Sequence, residues 1–508
     1  LPFGGGLERG AENLPPPIQR LIEARLDRLD AQSQELLGIA AAIGRSFSFS
    51  LLAEVSEVAT KEVINYLENW QQKGLVTEKS DGYDFTHDKI RQVAYANLSR
   101  ARKSYVHRCI AEILENAILP VDAATLAHHY SRSDQTIKAL PYLTKAGEQA
   151  LRAHSYHEAR QFGSQAVSML GREAGPKQNQ ERIDLSLQLA QAYAFSGDLQ
   201  RAQEMVEQAE QLALQIHDEK RLGSVYRRSA QIFWQRGNPK AANDYAHRTL
   251  RIAEEKEDIA LLRAALRMLG RTSIALAAFD DAIAYLLRYV DIEDSATRYH
   301  PNLMVVYGYL GVAYARVGSW KGALDAAEHG VEIAKEQGAA SKITFALAPL
   351  AYVQAARQNW AQCFKTLSAA PTPLDEEREF TPLLFIMSSL RGYTQARLDE
   401  TEEGIKAIHK SLNWVEKNNY QVFRYLPRIF LAESLLLTNE ISEAKKEAER
   451  ALKDARESGN RWAVGVTLRI LGEILSQEMK PNWLQMEEYL RESLRILRRI
   501  RARPDLAR

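Results

Sequence analysis

Apolar residues from Ile18 onward recur three and four apart, at Ile18, Leu21, Ile22, Leu26 and Leu29, which predicts an amphipathic helix. Asp30 is placed to cap a second helix, AQSQELLGIAAAIG, which Gly44 ends. A short third helix is expected over residues 51–55, and a fourth opens at Thr60, runs through KEVINYLENWQQKG and stops at Gly74. The pattern then changes: LVTEK, a turn at Ser80-Asp81-Gly82, and YDFTH predict a β-hairpin. Helix resumes near His87, and a long helix runs through SRARKSYVHRCIAEILEN.

Beyond residue 130 the dominant signal is repetition. Gly147, Ala190, Ala230, Gly270, Gly311, Ala351, Gly392, Ala432 and Gly472 follow one another at steps of about forty residues. Most have a second small residue twelve positions on, at Ala159, Ala202, Ala242, Ala282, Ala323, Gly404 and Ala444. A small residue on one helix admits the next at close range. Each pair leaves an apolar face that only the following pair can cover, so the units stack into a superhelix. The copy YGYLGVAYARVGSWKGALDAAEHG resembles the tetratricopeptide (TPR) repeat, with Tyr307, Leu310, Gly311, Tyr314 and Ala323 at that repeat's Trp, Leu, Gly, Tyr and Ala positions. A TPR unit has about 34 residues, so the longer step here implies longer helices. About nine repeats are expected from residue 130 to the end, the last stretched by QEMKPNW.

Several helices, a two-stranded hairpin and further helix match the winged-helix arrangement. The fold class expected is therefore all-α with a small β-hairpin wing: a winged-helix-like module followed by a right-handed TPR-like α-α superhelix. The domains expected are a linker over residues 1–16, the winged-helix-like module with connecting helices over 17–129, and the superhelix over 130–508. The helix before the wing carries Lys61, Glu62, Asn65, Glu68, Asn69 and Lys73, a face of mixed charge without arginine, so direct nucleic-acid binding is not expected.

Charge narrows the picture little. The 66 basic and 65 acidic residues give a formal net charge of +1, so no global field favours nucleic acid or anionic membrane. The two cysteines, Cys109 and Cys363, form no C-x-x-C pattern and fit a reducing, cytoplasmic setting. No apolar run is long enough to suggest a membrane span. The start, LPFGGGLERGAENLPPP, has neither an initiating Met nor the regions of a signal peptide, and the chain reads as a fragment of a longer protein.

Motifs for catalysis are missing, so no catalytic residue and no enzyme activity are expected of this chain. There is no H-E-x-x-H and no G-x-S-x-G, and GIAAAIGRS departs from a phosphate loop in both spacing and its Arg45. His128-His129 sit side by side on a helix, where neighbouring side chains diverge by about 100°, so they are assigned to packing and no metal is expected. The basic end LRILRRIRARPDLAR reads as a solvated last helix. The concave face of the superhelix, lined by the first helix of each pair, should carry Arg227, Gln231 and Trp234, then Arg267 and Arg271. Guanidiniums beside an indole suit an acidic or anionic ligand.

Taken together, LPPPIQRLIEARLDRLD, AAAIGRSFSFSLLAEVS and YDFTHDKIRQVAYANLSRARKSYVHRCIAEILE resemble the stretch after the ATPase core of the signal-transduction ATPases with numerous domains (STAND), including maltose-regulator-like bacterial regulators. The entry HHY, KALPYLTKAGEQAL, EAR into the repeats is similar to theirs as well. The resemblance implies that the phosphate loop, Mg²⁺-binding acid and sensor arginine belong to an upstream NTPase core not in this chain. This chain then holds no cofactor, and ATP or ADP with Mg belongs to the full-length protein. It also implies that His87 contacts the ADP phosphate in a resting state, with Asp88 holding the local geometry, and that an inducer or protein partner acts on the superhelix. The function expected is the sensor and regulatory region of such an ATPase. The alternative is a standalone TPR interaction scaffold without nucleotide control.

Overall fold

Seventeen-residue helices are the unit of construction, as in Leu199–Gln215, Glu219–Gln235, Pro239–Glu255 and Ile259–Ala275. Three residues join each to the next. The middle one is left-handed, at His217, Gly237 and Glu257, and the last caps the following helix, as the side chains of Asp218, Asn238 and Asp258 do. A helix of this length with its turn, taken twice, produces the forty-residue step in the sequence.

The computed structural model of the chain describes residues 16–118, 120–170, 175–292, 302–371, 382–418 and 421–506. The proposed linker falls almost wholly outside them. Two compact units meet between Gln178 and Asn179. The fold is all-α apart from one small sheet, and no described helix is long and apolar enough to cross a membrane.

In the first unit, helices Ala31–Ile43 and Thr60–Gln72 are joined through Trp70, fully buried, whose indole N–H donates to Ser33 Oγ at 2.9 Å. Asp30 caps the former as expected, and the latter opens at Thr60 as expected, with Ala59 at the cap position and no side-chain bond. The hairpin pairs Val76–Lys79 with Gly82–Phe85, and Ser46–Phe47 adds a third antiparallel strand on the far side of Gly82–Phe85. A two-residue strand leaves no alternation to read. Its trace is Gly82, where a Cβ would lie 2.5 Å from the Phe47 carbonyl oxygen. The helix Asp88–Asn97 follows, then Arg100–Glu115 and Ala123–Arg132, and the unit ends in the hairpin Ala139–Arg152 with Tyr156–Met169.

The second unit is a succession of helix pairs, each packed on the next. The small residues lie at the crossings: Ala190, Ala202, Ala230, Ala242, Ala282, Ala323, Ala351, Ala432 and Ala444 are all buried. A close crossing joins Pro382–Ala396 to Thr401–Lys417, where a Cβ on Gly404 would lie 2.3 Å from the Gly392 carbonyl oxygen. In the helix Trp360–Ser368 the counterpart position is taken by Cys363, fully buried with Sγ 3.4 Å from Thr394 Oγ1. The basic last helix keeps Arg495, Arg498 and Arg499 in solvent, while the segment after it is tied back: exposed Arg501 pairs with Asp280 at 3.1 Å, and Asp505 accepts from the Trp462 indole at 2.8 Å.

The Gly392–Gly404 contact is backbone against backbone, so no side-chain rotation can relieve a clash there. Gly404→Ala is expected to destabilise the second unit by about 1–3 kcal/mol, the usual range for overpacking. Urea unfolding followed by circular dichroism checks this, with a lowered midpoint as the expected result.

Candidate functional site

The superhelix of the second unit returns on itself. Asn460 Nδ2 donates to the Ala275 carbonyl at 2.6 Å and to Tyr425 Oη at 2.7 Å, bringing together segments 185 residues apart. Gly237 lies against Gln421, and Phe423 meets Trp234 edge to face at 5.6 Å. Phe423 adopts φ 57°, a left-handed conformation that a bulky side chain rarely holds without surrounding support. The return borders a half-open cavity of about 870 Å³. Its walls come mainly from the first helices of successive pairs, as the repeat pattern predicts, with Ala246 and Thr249 added from a second helix.

All five residues singled out on the repeats, Arg227, Gln231, Trp234, Arg267 and Arg271, line this cavity. Arg271 is stacked over Trp234, with the guanidinium carbon 4.1 Å from the ring centre, and one of its N–H groups points at Met268 Sδ at 3.1 Å. Arg228, one position along, points into the wall and is buried. It donates to the oxygens of Gln191 at 2.6 Å and Gln231 at 2.9 Å. That second bond orients Gln231: its oxygen is taken, so its amide N–H₂ is the group left for the cavity.

The electrostatics are one-sided. Lys342 joins the three lining arginines, and no aspartate or glutamate lines the cavity among the described residues. Arg227, Arg267 and Lys342 form no ion pair among the described residues. Water reaches Arg227, yet the enclosing walls, then the Arg267 charge, pull its pKa down against the weaker pull of Asp258. Burial, then Arg227, pushes the Arg228 guanidinium down to about 9. The remaining walls are apolar, with Met304, Phe345, Leu384 and Phe423 prominent. Such a space suits a molecule with both an anionic group and an apolar body. Lys342 sits on the first helix two hairpins beyond Arg267 and off its forty-residue register, so repetition does not point to it. Phe423 was hidden as well, because only the superhelical return brings it in.

The first unit places His87 at the N-cap of Asp88–Asn97, exposed and making no side-chain cap bond. Asp88 turns away from it to accept from Arg91 at 2.7 Å and Gln92 at 2.8 Å. Partial burial opposes the Asp88 charge, but these bonds outweigh it and hold the carboxyl below its ordinary range. The His87-Asp88 pair and the cavity residues belong to different units.

His128 and His129 do not stand alone. His107, from the neighbouring helix Arg100–Glu115, brings its Nδ1 to 2.9 Å from His129 Nδ1, and its Nε2 to 2.8 Å from Tyr95 Oη. His107 and His129 are buried and His128 is exposed at its edge. Burial first, then the neighbouring rings and Arg132, lowers His107 to about 3 and His129 well below its usual value. Burial, then Arg132 and Arg91, lowers His128 to about 4.

No family model and no curated protein matches the chain. Among solved structures, it is similar to the Signal Transduction ATPase with Numerous Domains (STAND) protein with a tetratricopeptide repeat sensor from Pyrococcus horikoshii, at 13% identity and a TM-score of 0.40. That match covers 94% of this chain, which spans 65% of the length of the Pyrococcus protein. Aspartyl phosphate phosphatase F from Bacillus subtilis is similar at 14% identity and a TM-score of 0.43, over 84% of this chain and 95% of its own. A Rap protein complexed with competence and sporulation factor is similar at 13% identity and a TM-score of 0.39, over 73% and 95%.

Two outcomes follow from these charges. Arg267→Gln removes one of two repelling cations, so the free protein is expected to gain on the order of 1 kcal/mol, as often happens where a residue is kept for a ligand; thermal unfolding at low salt checks it. The histidines act in the opposite sense. Their folded-state pKa values lie below the unfolded value of about 6.5, so stability is full above that pH and is lost as pH falls toward 4 and then 3. Each ring that stays neutral costs up to about 1.4 kcal/mol per pH unit in that window. Protection factors for amides of Arg100–Glu115 and Ala123–Arg132 should fall as pH drops from 6.5 to 4, and His107→Gln should flatten the change.

Proposed function

We propose that the chain is the sensor and regulatory region of a multidomain signal-transduction ATPase, whose TPR-like superhelix takes an inducer or an acidic segment of a protein partner in its cavity. The observation that carries this reading is the half-open cavity lined by three arginines and Lys342, with a stacked Arg271–Trp234 pair and no acidic side chain lining it among the described residues. An anionic group would relieve the repulsion among these cations, while the aromatic and methionine walls take the apolar part of the ligand. A ligand that touches the hairpin bearing Trp234 and the segment bearing Phe423 at once favours the closed superhelix over open forms, the differential affinity that a switch requires.

The first unit serves as the nucleotide-facing module in this proposal. The sheet and the helices around it correspond to a winged helix, and His87 supplies a free imidazole at a helix N-terminus, where an ADP phosphate is already favoured. Its partner in that role would be the NTPase core in cis, with ATP or ADP and Mg held there. The output would come from elsewhere in the longer protein.

The ligand half is tested with an amphipathic aromatic anion, anilinonaphthalene sulfonate. One molecule per chain is expected to bind, and Arg227→Gln or Arg271→Gln each to weaken binding about tenfold, about 1.4 kcal/mol. Binding that these changes leave untouched would remove the cavity from the proposal. The nucleotide half is tested in a longer chain carrying the core, where His87→Ala should release activity in the presence of ADP. An ADP response identical to that of the unaltered protein would leave a scaffold without nucleotide control.

A further inference from the structure

We propose that His107, His128 and His129 form a binding site for one divalent transition-metal ion of the zinc and cobalt class. One imidazole nitrogen from each ring lies within 4.8 Å of the others, and the nearest pair is 2.9 Å apart. Nitrogens held at about 2.0–2.1 Å from a tetrahedral ion lie about 3.4 Å from each other, and cannot be more than about 4.2 Å apart. The buried pair is therefore slightly tighter than a loaded site and the third ring slightly wider. A small outward shift of His129 and a rotation of the exposed His128 close both differences. The divergence of adjacent side chains on a helix, which argues against a site built from His128 and His129 alone, becomes useful once His107 stands between them from the next helix.

The orientation of each ring is already set. Tyr95 Oη lies 2.8 Å from His107 Nε2, so with the ring proton on Nε2 and donated to the phenol oxygen, Nδ1 presents its lone pair to the cluster. Arg132 donates to His128 Nδ1 at 3.0 Å, which leaves His128 Nε2 as its ligand atom. In the metal-free chain, His107 and His129 share a hydrogen bond between their Nδ1 atoms. Loading shifts the bridging proton to the other nitrogen of the same ring, so no net proton need leave. His107 and His129 are 1% and 3% exposed, while His128 opens to solvent. That asymmetry gives two fixed ligands, one gate and room for water as the fourth ligand.

Three neutral imidazoles without a carboxylate select zinc, cobalt, nickel or copper over magnesium and calcium. Arg132 and Arg91 are the cations nearest the rings and oppose a dication, so the affinity falls below that of a cysteine-built structural zinc site. A bound ion would pin Ala123–Arg132 to Arg100–Glu115, both within the first unit.

The test is titration of the untagged full chain with Co²⁺ at neutral pH, followed by visible absorption and calorimetry, then displacement by Zn²⁺. One Co²⁺ per chain is expected, with the intense visible bands of a four- or five-coordinate site. His128→Ala should abolish this uptake with unchanged circular dichroism, since that ring is exposed. Tyr95→Phe, which keeps all three ligands, should weaken it by about ten- to a hundredfold. His157→Ala, on an exposed histidine of the same unit, should change nothing. Failure to take up Co²⁺ at about 1 mM, or the same uptake in His128→Ala, would overturn the proposal.

Discussion

The structure of the second unit depends on how closely its helices approach at their crossings. Where Pro382–Ala396 meets Thr401–Lys417, each glycine faces the other's carbonyl: a Cβ on Gly392 would lie 2.6 Å from the Gly404 oxygen. Elsewhere alanine is the largest residue most crossings hold, with Cys363 as the exception. The same spacing sets the pitch of the superhelix. Helices held this close turn by a fixed amount from pair to pair, and that turn carries Asn460 back to the Ala275 carbonyl. The cavity is a consequence of this return, not of any single helix.

What fills the cavity walls is harder to explain by stability alone. Three arginines and a lysine line one half-open cavity, and Arg228 is buried beside them with glutamine oxygens as its acceptors. Buried Arg316 lies over the Trp462 and Tyr352 rings, and partly buried guanidiniums elsewhere in the unit are paired with carboxylates. Arg428 is held by Glu447 at 2.7 Å and Asp454 at 3.1 Å, and Arg469 by Glu433 at 2.8 Å. Among the described residues, Arg227, Arg267 and Lys342 form no ion pair in a chain that has 65 acidic residues. Uncompensated charge of this kind weakens the free protein and is a recurrent mark of a binding site.

The first unit shows the same contrast on a smaller scale. Its core closes around Trp70 and Phe85, with polar groups matched, as at Trp70 and Ser33. Against this background, burying His107 and His129 beside each other is costly in acid and gives nothing to packing that leucine would not. His87 differs in the other direction: it is exposed at a helix start, and its neighbour Asp88 is fully engaged while its own side chain makes no cap bond.

Local features were legible in the sequence because they are set by short-range physics. The helix periods, the Asx cap at Asp30, the hairpin at Ser80-Asp81 and the small residues at the crossings all follow from steric fit within a few tens of residues. Arg227, Gln231 and Trp234 could be placed on one face by helical spacing, and repetition put Arg267 and Arg271 beside them. Tertiary structure alone decided what depends on long separations. Ser46–Phe47 is too short to carry a pattern until Gly82–Phe85 offers it an edge. Phe423 reaches Trp234, and Arg501 reaches Asp280, only because small turns between pairs accumulate over several repeats. His107 and His129 meet because two helices cross at that point, and no spacing along one helix can specify where another will cross it.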